Sequence, residues 1–310
     1  MTVRLGTRAS PLARWQADWV AAELQKRDVP VELVLIRTYG DRELRPVEEI
    51  GGRGLFTREI QRALLDGRID LAVHSLKDLP TDEVPGLCLA AVPERAPPRD
   101  ALVCAKHASL SELPTGAVIG SGSLRRRAQL LSARSDLHMR DIRGNVDTRL
   151  RKLHQGDYDA LVLAEAGLRR LGLEQQITEF LPLWLMLPAA GQGALALETR
   201  RDDAAARETV AALDHAPSHQ AVLAERAMLA ALRGGCLAPI AGYACIEDER
   251  LVLRGRVLSP NGAQRLEAAQ SAPPGQAVEL GEQVAAELLA QGAAELIRAS
   301  RATTQRPQRP

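Results

Sequence analysis

Ile69-Asp-Leu-Ala-Val-His-Ser-Leu-Lys-Asp-Leu-Pro80 divides into two halves that demand different surroundings. Ile69 to Val73 is a short apolar run two residues after Gly67, which predicts a buried strand of an α/β sheet. His74, Ser75, Lys77 and Asp78 then break the pattern at the strand's carboxyl end, and Pro80 stops it. In open α/β sheets ligands sit outside the carboxyl ends of strands, so this end is a candidate site. From these residues alone, an ordinary strand exit with solvated charges reads equally well. If the strand continues, Lys77 and Asp78 point to opposite faces, and Lys77 need not neutralise Asp78.

Toward the N-terminus, Val3 to Gly6 is a strand and Val31 to Arg37 a second one. Between them Ser10-Pro11 supplies an N-cap with proline at the first helical position. Leu12, Trp15, Trp19, Val20 and Leu24 follow at helical spacing to about Arg27. This β-α-β start argues for a parallel sheet. It also sets Arg8 and Ser10 beside a helix N-terminus, a natural anion seat, where Ser10 also reads as a plain cap.

Toward the C-terminus, strands are expected at Leu87–Val92, Ala101–Ala105, Ala117–Gly120, Leu137–Ile142, Asp159–Ala164 and Leu195–Glu198. The Pro-rich, charged run Arg95-Ala-Pro-Pro-Arg-Asp100 reads as a hinge. Ser121-Gly-Ser-Leu-Arg-Arg-Arg127 opens a helix to about Arg134, and Asn145 caps another that ends at Gly156. Arg170 lies on the helix begun by Ala166. From Ser218 an apolar helix runs to Leu232. Beyond it come strands at Tyr243–Glu247, Leu251–Leu258 and Gln264–Ala269, one long helix from Gln276 to Arg298, and a frayed polar tail from about Ala302.

The 310 residues are 45% hydrophobic and 25% charged, an ordinary globular composition with room for two or three domains. The net charge of +1 selects no class of partner, but its distribution does. Residues 120–152 hold nine basic side chains against three acidic ones, a local +6, so the remainder sums to −5. An anionic ligand is implied. Arg125 and Arg126 sit in the first turn of their helix, where cations oppose the helix dipole and cost stability unless an anion is bound. A nucleic-acid ligand fits poorly, since aromatics are 3% of the chain and no stacking pattern accompanies the arginines. Arginine rather than lysine suits bidentate carboxylate binding.

Other motifs carry less. Gly51-Gly-Arg-Gly-Leu-Phe-Thr-Arg-Glu59 is glycine-rich but lacks the Gly-Lys-Ser/Thr ending of a P-loop, and Phe56 reads as a core anchor for the helix that follows. Gly191-x-Gly193-x-x-Ala196 only approaches a dinucleotide fingerprint, because a strand and not a helix follows it. His215 and His219 are four apart, but Pro217 is expected to break the helix a metal pair would need. The four cysteines have no C-x-x-C pairing, and no apolar run is long enough to span a membrane. With no apolar leader after Met1, a reduced cytoplasmic protein is expected. Cys88, Cys104 and Cys245 lie in apolar runs, whereas Cys236 stands in the loop Arg233-Gly-Gly-Cys-Leu-Ala-Pro239, a candidate nucleophile.

Taken together the motifs resemble those of the porphobilinogen deaminase (hydroxymethylbilane synthase) family. His74-Ser-Leu-Lys-Asp-Leu-Pro80 resembles its HS-x-KD-x-P signature, and Arg8-Ala-Ser-Pro-Leu-Ala-Arg-Trp-Gln16 its R-x-S-x-L-A-x-x-Q motif. Gly51 to Phe56 is similar to GG-K/R-G-L-F, and Arg143-Gly-Asn-Val-Asp-Thr-Arg149 to R-G-N-x-x-T-R. Ser121 to Arg126 is similar to T-S-S-L-R-R, with Ser121-Gly122 in place of Thr-Ser. Pro188 to Ala194 resembles P-A-x-G-Q-G-A, and Gly234 to Pro239 G-G-C-x-x-P. Asp147 also departs from the glycine common there, and an acidic residue in a first helical turn is locally tolerated.

The resemblance implies two doubly wound α/β domains like those of periplasmic binding proteins, plus a smaller C-terminal α+β domain. Residues 1–94 with 195–214 would form the first, 99–190 the second and 217–310 the third. It implies a monomeric, cytoplasmic transferase that condenses four porphobilinogen molecules into hydroxymethylbilane and releases four ammonia molecules. Its covalent dipyrromethane cofactor would hang from Cys236 by a thioether. Asp78 would be the catalytic carboxylate. Ser75, Lys77, Ser123, Arg125, Arg126, Arg143 and Arg149 would hold the cofactor, and Arg8, Ser10, Phe56 and Arg170 the substrate. A non-catalytic binder of anionic solutes with the same two-domain shape is the alternative.

Overall fold

In the computed structural model, which describes residues 2–38, 57–234 and 238–304, the opening β-α-β unit forms as its pattern predicts. β1 (Val3–Thr7) leads into α1 (Pro11–Gln25), and β2 (Val31–Leu35) returns beside β1 in parallel. Ser10 has extended backbone and accepts a hydrogen bond from the Ala13 amide, and Pro11 fills the first turn. After α2 (Arg58–Leu65) the chain enters β3 (Leu71–Ser75), the strand of the opening stretch, which pairs in parallel with the other edge of β1. β4 (Leu87–Ala91) completes the outward path.

Residues 92–99 cross to a second sheet. There β5 (Asp100–Cys104), β6 (Val118–Gly120), α3 (Leu124–Ala133), β7 (His138–Arg140), α4 (Val146–His154), β8 (Ala160–Ala164), α5 (Glu165–Arg170) and β9 (Glu179–Leu181) follow in order. The chain crosses back through 188–194 into β10 (Leu195–Arg200) and α6 (Ala204–Ala211). The two sheets share one topology. Their orders are β2-β1-β3-β10-β4 and β7-β6-β8-β5-β9. In each, four strands point the same way, and the strand that has just crossed over, β10 or β5, runs against them and pairs antiparallel with both neighbours. A third domain follows, with α7 (Ala216–Ala231), the meander β11 (Ile240–Glu247), β12 (Arg250–Leu258) and β13 (Arg265–Ala272), then α8 (Ala277–Ala290) and α9 (Ala293–Thr304). Its core joins Met228 of α7, Leu253 of β12 and Val284 of α8.

Four expectations need correction. The strand ends at Ser75, and Leu76–Asp78 is a 3-10 turn, so strand alternation does not separate Lys77 from Asp78. The single long C-terminal helix is two, because Gly292 at φ +100° ends the first in the left-handed region. The helix α9 continues to Thr304, past Ala302 where the tail was expected to begin, and residues 305–310 lie outside the described residues. Pro217 lies in the first turn of α7, where its missing N–H costs nothing, and the helix continues past it. His215 contacts Ser218 and His219 contacts Asp214. β9 and α6 were not anticipated from periodicity. β9 has only three residues, but α6 carried a readable signal in Asp203, whose carboxylate caps the Ala206 amide.

Candidate active site

A cleft of about 290 Å³ opens between the two five-stranded sheets. Its walls come from the carboxyl ends of β1, β3 and β8 and from the N-termini of α1, α4 and α5. That is where backbone N–H groups and helix dipoles favour anions. Arg8, Ser10, Ser75, Lys77, Asp78, Arg126, Arg149 and Arg170 all line it.

Each of these side chains is steered by its neighbours. Gln16, buried on α1, donates to Ser75 Oγ at 2.8 Å, tying the first helix to the end of β3. Arg170 donates to the Gly193 carbonyl at 2.7 Å, and its guanidinium lies 5.8 Å from the Trp15 ring centre. Arg149 Nε donates to the Gly144 carbonyl at 2.8 Å, and the residue lines the cleft. Burial, reinforced by Arg126, pushes Lys77 down to about 8. Burial likewise lowers Arg149 and Arg170 to about 10 each, with Arg126 and Arg143 adding to the effect at Arg149. The cleft therefore crowds positive charge in a poorly solvated place, and an anion relieves it. Asp78, exposed, is the one carboxylate with Lys77 beside it that faces this charge at the end of β3.

The arginine helix α3 differs from expectation. Ser123 caps it, accepting from the Arg126 amide. The anion that offsets Arg125 and Arg126 is the chain's own Asp100, at the first position of β5. Arg125 Nη1 donates to one Asp100 oxygen at 2.7 Å and to the Leu187 carbonyl at 2.7 Å. Arg126 donates to the other oxygen through Nε at 3.0 Å and Nη2 at 2.7 Å. Gln192, from the returning crossover, adds a bond of 2.9 Å to the same oxygen. Burial raises the Asp100 pKa, but the two guanidiniums override it and hold the carboxyl well below the usual range. Arg125 Nη1 is shared between Asp100 and the Leu187 carbonyl and Arg125 does not line the cleft, so its position has an internal anion and need not await an external one. Arg126 belongs to both cluster and cleft.

Ser123 and Arg143 also lie off the lining, and Phe56 and Cys236 fall outside the described residues. Gly122, a departure noted in the sequence, sits where a Cβ would come 3.2 Å from the Ile142 carbonyl oxygen. Sequence reading missed Asp100, and it gave no role to Gln16 or Gln192 although both stand in the motifs quoted for the family. It also missed Glu225 of α7, which is buried and takes two bonds from Arg95 at 2.6 and 3.2 Å. The Gly191 and Ala244 amides donate to the same carboxylate. A local charge of +6 signalled that counterions were needed somewhere, but gave no address for them.

Comparison with known proteins bears on the whole chain. Residues 3–208 match the family described as porphobilinogen deaminase, dipyromethane cofactor binding domain, and residues 219–290 match porphobilinogen deaminase, C-terminal domain. The porphobilinogen deaminase of Geobacter sulfurreducens is 48% identical over 298 residues, which is 95% of this chain and 93% of that one. The same-named protein of Syntrophomonas wolfei is 46% identical, covering 95% of this chain and 97% of its own. Among solved structures, a periplasmic substrate-binding protein of an ABC transporter from Coxiella burnetii superposes with a TM-score of 0.44 at 19% identity, over 72% of this chain and 94% of its own.

Proposed function

Because this chain belongs to the porphobilinogen deaminase family, we propose that the cleft between its two sheets is where porphobilinogen is condensed, with Asp78 as the catalytic carboxylate. The chain is a transferase that joins four porphobilinogen molecules head to tail into hydroxymethylbilane, with four ammonia molecules released, on a dipyrromethane cofactor. Family membership sets aside the non-catalytic solute binder. No helix among the described residues is long and apolar enough to cross a membrane.

The observation that carries the site assignment is the crowding of Lys77, Arg126, Arg149 and Arg170 in a cleft where Asp78 stands at the end of β3 and Asp147 on the opposite sheet's helix α4. Each pyrrole of substrate and cofactor bears an acetate and a propionate. Cations whose charge is penalised by burial fit such a polyanion, because its carboxylates restore what desolvation removed. When bound through Cys236, the cofactor supplies the primer from which the pyrrole chain grows.

The residues of the cleft then divide the work. Lys77, Arg126 and Arg149, with Ser75, hold cofactor carboxylates; Arg143 and Ser123 support them from just outside the lining. Arg8, Ser10 and Arg170 hold those of the incoming porphobilinogen, and Phe56 faces its ring. Arg125 acts as a positioning residue, because its Nη1 is held by Asp100 and the Leu187 carbonyl and its side chain lies off the lining. Departure of ammonia from the aminomethyl group leaves a cationic methylene carbon. Asp78 stabilises that charge and accepts the pyrrole proton released as the new carbon–carbon bond forms.

Domain limits of 1–94 with 195–214, 99–190 and 217–310, and a cytoplasmic monomer, belong to the same proposal. The free thiols of Cys88, Cys104 and Cys245 support a reducing compartment. Sedimentation of the purified protein at one chain mass tests the monomer.

The attachment is tested by intact mass. The active protein is expected to exceed the mass of its chain by two pyrrole units, Cys236→Ser to return the bare mass with little activity, and Cys88→Ala to keep the adduct. Active enzyme at bare chain mass would rule out the covalent primer. Porphobilinogen consumption with release of ammonia tests the reaction itself.

A further inference from the structure

We propose that Arg226, on a helix of the third domain, is a positioning residue that fixes the turn carrying Asp78. The inference deepens the assignment of Asp78 as catalytic carboxylate and rests on it.

Asp78 makes no hydrogen bond or ion pair through its carboxylate among the described residues. Its place in the cleft is therefore set by the backbone of Leu76–Asp78 rather than by side-chain partners. That backbone is anchored at its start, where the Leu76 amide donates to the Ala194 carbonyl at 3.0 Å. At its end the carbonyls of Leu79 and Pro80 accept from Arg226, through Nη1 at 3.0 Å and Nη2 at 2.8 Å. Two nitrogens of one planar guanidinium on two successive carbonyls define direction as well as position, which a lysine cannot do.

The clamp itself stands on fixed ground. Glu225, the preceding residue of α7, is fully buried and bonded to Arg95, to the Gly191 amide and to the Ala244 amide. One helix thus holds both chain crossovers with one residue and the Asp78 turn with the next. Gly191 also packs directly on the turn, since a Cβ there would fall 2.1 Å from Leu76 Cδ2. A shift of α7 would move the turn and the carboxylate together. A displacement on the order of 1 Å at reacting groups can cost about 10²-fold in rate.

The experiment uses the full chain carrying its cofactor, with loading checked by intact mass. Arg226→Met is expected to lower kcat by about 10- to 100-fold while KM stays within about threefold, the pattern of a lost transition-state contact. Arg226→Lys should recover part of the loss. In an Asp78→Asn background, Arg226→Met should cost little more, because the group it positions is already disabled. Independently of activity, amide exchange of the 76–82 segment should quicken in Arg226→Met. Equal losses in both backgrounds, or unchanged exchange in that segment, would overturn the inference. If Arg226→Met does not fold, Arg226→Lys carries the same cycle and the same exchange measurement. Near-normal turnover of Asp78→Asn would sink the catalytic reading of Asp78 and with it the catalytic role of Arg226. A crippled Asp78→Asn beside a normal Arg226→Met would sink only the clamp.

Discussion

At the residue scale the cleft sets two carboxylates, Asp78 and Asp147, among five lining cations, and the proposed chemistry rests on Asp78. If Asp78 supplies charge stabilisation and proton transfer, Asp78→Asn keeps its shape and loses its charge. A fall in rate of roughly 10²- to 10⁴-fold is expected, the usual reach of a general acid–base group. Asp78→Glu should retain more activity than Asn, since the charge survives with a shift of one methylene. Ammonia release per enzyme, at matched folded fraction, checks both. If the residue merely ordered the turn before Pro80, Asn would be the milder change. Lys77 adds a pH signature. Burial and Arg126 place it at about 8, below the ordinary lysine value of 10.5, so near pH 8 about half of the groups are neutral. Carboxylates entering the cleft raise that pKa. Binding of porphobilinogen to the Asp78→Asn protein at pH 8 should then take up a proton fraction, absent at pH 6 where Lys77 is already charged. Calorimetry in buffers of different ionisation enthalpy measures this uptake, and Lys77→Met should abolish it.

At the element scale, α3 shows how a costly local arrangement becomes tolerable. Two arginines in a first helical turn oppose the dipole, and both are almost wholly buried. The Asp100 carboxylate, one strand away, compensates both. Because that compensation is internal, removing Arg125 leaves Asp100 half-paired in a dry place. Arg125→Met is expected to destabilise the protein by roughly 1.5–3 kcal/mol, the usual worth of a hydrogen bond to a charged group, since Arg126 still pairs Asp100. Denaturant unfolding of the apo and loaded forms checks it. A stability equal to the parent would return Arg125 to the role of a ligand clamp poised for an external anion. The same scale explains the Asp78 turn. A 3-10 turn, unlike two further strand residues, keeps Lys77 and Asp78 both on the cleft side.

At the scale of the whole molecule, the two sheets are joined where the chain crosses between them, where the third domain grips those crossings, and where α1 meets α5 with Trp15 against Arg170. The two crossovers touch at Gly193, which has φ +90° and whose added Cβ would lie 2.3 Å from the Ala96 carbonyl oxygen. Gly193→Ala combines a disfavoured backbone with a backbone clash. It should cost more than about 1 kcal/mol and lower the melting temperature, because the native conformation is one alanine cannot adopt without strain. Differential scanning calorimetry checks this, and an unchanged transition would mean that the crossovers can part without cost.

The sequence by itself determined the elements and the ligand class. Strand and helix periodicity, the Ser10-Pro11 cap, the placement of polar residues after β3 and the basic run from 120 to 152 are all local patterns, written within a few residues of one another. The recurring motifs carried the family. Only the tertiary structure decided the pairings. Asp100 with Arg125 and Arg126, Gln16 with Ser75, Glu225 with Arg95 and Arg226 with the Leu79 carbonyl join residues from 25 to 147 positions apart. No periodicity encodes such pairs, because the energy that selects them arises only when folding has removed the groups from water. The same desolvation gave Arg125 and Arg126 of α3 one shared internal anion, which leaves a net positive charge with Arg126 facing the cleft for the substrate.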